Sequence, residues 1–204
     1  MGPKIYKSGE KIIMKNLYIA SKNNGKIEEY KKLLSRVNCQ LLLQPETLEV
    51  EEDGLTFRDN AIKKASAVSR KTNNYSISDD SGICIEALGG KPGIYSSRYA
   101  ENDQKRIERV LKELDGVKNR SAFFVANICV CSPNGEVIIE SEAKCHGNII
   151  LKPRGNGGFG YDPIFEESST RLTFAEMNNV IKDSFSHRGK ALKKIIPDLL
   201  QIFS

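Results

Sequence analysis

Two adjacent carboxylates, Asp79 and Asp80, stand in the run Ser78-Asp79-Asp80-Ser81-Gly82, where the strand-like stretch Tyr75 to Ser78 is expected to end. Successive strand side chains point to opposite faces, so at most one of the pair reaches a given ligand unless the chain turns there. A hard cation such as Mg²⁺ takes one or two carboxylates and completes its shell with water and phosphate oxygens. Asp80 with Glu51 or Glu52 is a set of that kind. The residues equally allow another reading, in which the aspartates cap a turn and Glu49, Glu51 and Glu52 form a solvated acidic surface.

Three further places offer complementary chemistry. Ser21-Lys22-Asn23-Asn24-Gly25-Lys26 lies between an apolar strand-like run and a helical pattern. A strand-to-helix loop aims backbone N–H groups and the positive helix end at one point, which suits a phosphate. It is not a P-loop, because Ala20 stands where the first glycine belongs and Ile27 replaces the metal-binding Ser or Thr. Gly157-Gly158-Phe159-Gly160-Tyr161-Asp162 sets glycines beside flat rings, which suits a purine; a tight turn with both rings in the core fits the composition as well. Ser186-His187-Arg188-Gly189 opens a helix, and the planar fork of Arg188 suits carbonyl or phosphate oxygens. No local Ser/His/Asp or Cys/His arrangement is present, and His146 beside Cys145 is too short a spacing for zinc.

The elements that must position these residues alternate. Leu17 to Ala20 reads as a buried strand, and Ile27, Tyr30, Leu33 and Leu34 follow at helical spacing. A second helix is expected from Thr56 to Arg70 and a third around Ile107, Val110, Leu111 and Leu114, stopping near Gly116. Ala122 to Cys131 and Glu136 to Ala143 are strand-like, and Asn134-Gly135 between them signals a hairpin. A last helix starts near His187, with Pro197 expected to bend it. Helices alternating with strands, plus a hairpin, predict a mixed sheet with helices packed on it.

The 204 residues form a single expected domain from 15 to 204, preceded by an extension over 1–14 that is expected to be flexible. No apolar run could span a bilayer, and the N-terminal stretch has no apolar centre that would make it a secretion signal. The net charge of +5 is spread along the chain rather than clustered as in a nucleic-acid binder. Lys31-Lys32, Lys63-Lys64 and Lys193-Lys194 read as solvated helix faces. Five cysteines without C-x-x-C spacing suit reduced thiols in a cytoplasmic setting, with Cys129 and Cys131 buried on one strand face.

The order of the motifs carries a resemblance. Ser21-x-Asn23-x-x-Lys26, Glu51-Glu52-Asp53-Gly54-Leu55-Thr56-Phe57, Asn60-Ala61-x-x-Lys64-Ala65, Ser78 to Gly82, Ala87 to Ser96, Arg98-Tyr99, Gly157 to Phe165 and Ser186 to Gly189 follow one another. This series resembles the inosine triphosphate pyrophosphatase family, also called Ham1-like or XTP/dITP diphosphatases, over roughly Lys15 to Ile202. Glu101 and Asp183 depart from the family's usual residues, at positions away from the chemistry.

The resemblance implies an elongated α/β fold of two lobes on a mixed, twisted sheet, a cleft between the lobes, and a homodimer. It implies hydrolysis of ITP, dITP and XTP to monophosphate and pyrophosphate, with Mg²⁺ as cofactor and neither nucleic acid nor membrane as partner. Ser21, Lys22, Asn23, Asn24, Gly25, Lys26 and Lys64 would hold the triphosphate, and Ser81 would also touch substrate. Glu51 and Asp80 would hold the metal, Asp80 also acting as general base for water attacking the α-phosphorus. Phe159, Gly160, Tyr161 and Asp162 would hold the base, with Phe159 stacked on it. Lys182, His187 and Arg188 would complete the pocket. A donor from Arg188, or from backbone N–H groups after Phe159, would favour a 6-oxo purine. The rivals are a Maf-type pyrophosphatase acting on other triphosphates, and a catalytically silent nucleotide- or RNA-binding protein.

Overall fold

The computed structural model describes residues 5–7, 10–12 and 14–204. Ile5–Lys7 (β1) and Glu10–Ile12 (β2) pair antiparallel with each other, apart from the main sheet. Side chains of the expected 1–14 extension lie outside what is described, apart from that of Met14.

Six strands make the main sheet, in the order β4 (Gln40–Leu43), β3 (Asn16–Ile19), β5 (Tyr75–Ile85), β6 (Ser121–Cys131), β7 (Val137–Ile149) and β8 (Phe165–Glu167). β3 runs parallel to β4 and β5, and the remaining pairs are antiparallel, so the sheet is mixed as expected. The helices are α1 (Asn24–Leu33), α2 (Phe57–Thr72), α3 (Asp103–Glu113), α4 (Asn179–Phe185) and α5 (His187–Ile202). α2 begins at a capping box in which Thr56 and Asp59 satisfy each other's backbone N–H. α5 runs through Pro197.

One expectation fails in an informative way. The strand read as ending at Asp79 continues to Ile85, so Asp79-Asp80-Ser81-Gly82 is mid-strand and not a turn. The reason is long-range: β6 pairs with β5 from Ser76↔Cys131 to Ile85↔Ala122, satisfying a backbone whose local composition suggests a loop. Gly82 is required in the strand, because a Cβ there would stand 2.5 Å from both Gly93 O and Ser96 Oγ.

The apolar core divides along β5. Ile77 packs with Leu17, Ile19, Tyr30, Leu192 and Ile195 beneath α1 and α5. Ile83 and Ile85 belong to a separate cluster with Val110, Phe124, Phe165 and Phe174. The polar stretch Ser78 to Ser81 lies between the two. Cys129 and Cys131 are buried against Ala61 and Ala65 of α2, as small hydrophobes.

Candidate active site

A cavity of about 560 Å³ opens where the polar stretch of β5, the N-terminus of α1, the segment Gln44 to Glu52, the glycine-rich loop and the start of α5 converge. It is lined by Ser21, Lys22, Asn23, Asn24, Gly25, Lys26, Lys64, Asp80, Ser81, Phe159, Gly160, Tyr161, Asp162, Lys182, His187 and Arg188. Of the residues to which the resemblance gives a substrate, metal or catalytic role, Glu51 alone is absent from this lining, and it is exposed. Glu52 lines the cavity in its place. Among the described residues no group of three His, Cys, Asp or Glu side chains is gathered as a ready metal cluster.

The loop after β3 is built as a cap. Asn23 is the N-cap of α1: its Oδ1 accepts from Lys26 N–H at 3.1 Å, while Ser21 Oγ accepts from Asn23 N–H at 3.2 Å. This turns the helix start toward the cavity, where its positive end can serve an anion. Gly25 has a packing reason that sequence did not show. A Cβ there would stand 2.5 Å from Phe159 Cδ1, so the phosphate-type loop and the aromatic of the glycine-rich loop touch.

The two aspartates of β5 face opposite ways. Asp79 is buried and receives Arg188 through Nε at 3.2 Å and Nη2 at 3.0 Å, with Lys26 Nζ at 3.1 Å. Burial opposes its charge, but Arg188, Lys26 and Lys64 together hold its carboxyl far below the usual carboxylate range. Asp80 Oδ2 accepts from Asn60 Nδ2 at 3.0 Å, and Oδ1 accepts from Ser81 N–H at 3.1 Å. Burial raises the Asp80 carboxyl, with Lys64 and Lys26 offsetting part of the shift.

Lys64 was read from composition as part of a solvated face, yet it is buried while Lys63 beside it is not. Its Nζ donates to Glu52 Oε1 at 2.7 Å and lies 3.7 Å from Asp80 Oδ1. Burial works against this ammonium, but Asp80 and Glu52 outweigh it and raise its pKa. The two carboxylates thus converge on one point of positive charge, the arrangement a hard divalent ion needs from oxygen ligands.

At the opposite end the charges are saturated. Lys182 Nζ donates to Asp162 Oδ2 and pairs with Glu29 Oε1, both at 2.8 Å, and lies 4.9 Å from the centre of the Phe159 ring. Arg188 also donates to Glu29 and, at 2.8 Å, to Ser81 Oγ, leaving little of its donor fork unspent. The N–H groups of Phe159 and Gly160 are taken by Asp162 and Asp103, at 2.9 and 2.7 Å. Of the backbone N–H groups after Phe159 that the sequence suggested for a 6-oxo group, that of Gly160 is thus already engaged. The Tyr161 hydroxyl donates to Ser96 O at 2.9 Å. His187 stacks on Phe124, centroids 4.7 Å apart and planes within 8°, and burial pulls its imidazole well below the ordinary histidine value.

Sequence reasoning missed Glu29, Asn60, Asp103 and Phe124. Asn60 stood in a quoted motif without a role, and the other three carry no local signal, because their partners lie far away along the chain.

Comparison with known proteins gives one answer. A model of the Ham1 family matches residues 17–198. A protein of Prochlorococcus marinus subsp. pastoris named dITP/XTP pyrophosphatase is 82% identical over 191 residues, covering 94% of this chain and 100% of its own. A protein of the same name from Nostoc sp. is 46% identical over 190 residues, covering 93% and 97%. The solved structure of a HAM1 protein from Coxiella burnetii superposes with TM-score 0.84 at 37% identity, covering 92% of this chain and 100% of that one. The Staphylococcus aureus Ham1 protein follows with TM-score 0.82 at 35% identity, covering 92% and 100%.

Proposed function

The chain belongs to the Ham1 family, and from that premise we propose that it hydrolyses nonstandard purine nucleoside triphosphates (dITP, ITP and XTP) to the monophosphate and pyrophosphate. The observation that carries this reading is the shared cavity. A helix N-terminus with Lys26, the Lys64–Glu52–Asp80 group and an aromatic, hydrogen-bonding end all line one space. The two apolar clusters either side of the Ser78–Ser81 stretch correspond, in this reading, to the two lobes, with the substrate cleft between them.

The triphosphate lies along Ser21 to Lys26 and Lys64. Water attacks the α-phosphorus, its proton passes to Asp80, and the bond to the bridging oxygen breaks so that pyrophosphate leaves. A carboxylate whose proton affinity is raised by burial suits that acceptor role. Mg²⁺ would be held by Asp80 and by Glu52 rather than Glu51, because Glu52 is the one that shares the cavity. When bound, the ion would neutralise charge on the phosphate oxygens. The donor set fits it: carboxylates match cations almost one for one around the cavity, so a polyanionic substrate gains little attraction without added positive charge. Lys22 and Lys64 would exchange Glu49 and Glu52 for phosphate.

At the base end Phe159 stacks on the purine, and Lys182 with the remaining N–H of Arg188 faces its oxo groups. Each buried donor left unpaired by the wrong base costs about 1–3 kcal/mol, so two such donors give a preference of roughly 30-fold to 10⁴-fold.

Pyrophosphate release from ITP, XTP, GTP, ATP, dTTP and UTP, with and without Mg²⁺, tests the reading. ITP and XTP turnover that exceeds the rest by orders of magnitude and needs the ion is expected. Preference for the pyrimidines would point to a Maf-type activity, and RNA binding without pyrophosphate release would point to a silent binder. A cytoplasmic homodimer belongs to the same reading, and light scattering checks the dimer.

A further inference from the structure

Asn60 is fully buried on the first turns of α2, and both ends of its amide are engaged. Its Oδ1 accepts from Gly54 N–H at 2.8 Å, and its Nδ2 donates to Asp80 Oδ2 at 3.0 Å. The orientation is unambiguous. A backbone N–H can only donate, so the oxygen end must face Gly54, and a carboxylate accepts, so the amino end must face Asp80. The amide therefore spans from the catalytic strand to the segment that carries Glu52, two residues before Gly54.

That segment has few other fixtures. Between β4 and α2 no residue is in a helix or strand, so backbone ladders do not set where Glu52 stands relative to Asp80. Arg98 Nη2 donates to Glu52 O at 2.9 Å, and Lys63 pairs with Asp53 on the exposed side. The ties between the Glu52 carboxylate itself and Asp80 are Lys64 and, through the backbone, Asn60. Lys64 is the partner that substrate phosphate would draw away. Asn60 is the one that stays. Gly54 fits the same account: a Cβ there would lie 2.6 Å from Asn60 Oδ1, against the atom that anchors the segment.

We propose that Asn60 is a positioning residue for the reaction: its amide fixes the plane of the Asp80 carboxylate and sets the distance between Asp80 and the Glu52 segment, so that both carboxylates stay convergent once Lys64 turns to the phosphates. The inference rests on the reading of Asp80 and Glu52 given above. It predicts a particular pattern, because outer partners of metal- and substrate-binding carboxylates change the geometry of the charged groups and leave the base contacts alone.

The test compares wild type with Asn60→Leu, which removes both hydrogen bonds while keeping the branching at Cγ, and with Gly54→Ala, which presses on the segment end of the link without touching Asp80. In each, kcat for ITP is expected to fall by about 10- to 100-fold with KM within about threefold, the range seen when an outer partner of a site is lost. Mn²⁺ binding to the nucleotide-free protein, followed by electron paramagnetic resonance, is expected to weaken by about tenfold. Folded variants with wild-type kcat and wild-type Mn²⁺ affinity overturn the proposal. So does an equal loss in kcat and gain in KM with unaltered Mn²⁺ binding, which is the signature of general loosening. If Asn60→Leu does not fold, Gly54→Ala decides alone. Asp80→Asn, run alongside, separates two failures. Full turnover in that variant removes Asp80 from the mechanism and the inference with it, whereas an inactive Asp80→Asn beside unaltered Asn60 and Gly54 variants removes the link alone.

Discussion

Asp79 and Asp80 are neighbours on β5, yet their side chains end in opposite circumstances. On one face Asp79 is closed in by Arg188 and Lys26, and the same network runs on through Glu29 to Lys182 and Asp162. On the other face Asp80 has an amide, one backbone N–H and a lysine at 3.7 Å, and it opens on the cavity. The first carboxylate is held far below the usual range and the second is raised, with burial acting in the same direction on both. The difference lies in the partners. A buried acid surrounded by guanidinium and ammonium groups is a permanent anion and serves the structure. A carboxylate that opens on the cavity, with no guanidinium closed against it, is free to take up a cation or a proton.

The largest effect is expected at the open face. Asp80→Asn should lower kcat by about 10²–10⁴-fold, the usual contribution of a general base, while ITP still binds; single-turnover assays with an equilibrium binding measurement check it. Asp79→Asn should act on the fold instead. Stripping the charge from a buried partner of Arg188 and Lys26 should cost about 3–5 kcal/mol, read as a drop in Tm on the order of 10 °C for a chain of this size. Its pH dependence has a definite sign. Because the folded value lies below the unfolded one, the Asp79 contribution is complete above the unfolded carboxylate value of about 4 and is lost as the pH falls below it. Denaturant midpoints measured from neutral to acid pH should therefore fall less steeply in Asp79→Asn than in wild type.

A smaller effect is expected where the two ends of the cavity meet. Gly25→Ala forces Phe159 from its place and should raise KM by roughly three- to tenfold, the worth of one aromatic contact of ~0.5–1.5 kcal/mol, with kcat little changed. The smallest signal is an expected null. His187, stacked on Phe124 and stripped of water, should show no imidazole titration by NMR between about pH 5.5 and 8, the interval in which an ordinary histidine loses its proton.

Much of the fold was legible because it rests on local period and punctuation. The 3.6-residue repeat of Ile27, Tyr30 and Leu34, and the hairpin at Asn134-Gly135, need no partner to be read. The extension of β5 through Asp79 to Ile85 could not be read that way, since a strand this polar exists because β6 pairs along all of it. The distinction between Glu51 and Glu52 was equally out of reach, because one residue along an irregular segment decides which carboxylate faces the cavity and which faces water.

Residue types and their order along the chain determined the cast: paired acids after a strand-like run, a polar strand-to-helix loop, glycines interleaved with rings, and a late His-Arg pair. Those features follow from backbone sterics and side-chain chemistry, which act within a few residues. Tertiary structure decided the pairing. Arg188 meets Glu29 across 159 positions and Asp79 across 109, and Gly160 meets Asp103 across 57. A buried charge settles on whatever counter-charge the packing delivers, and packing is a property of the whole folded chain.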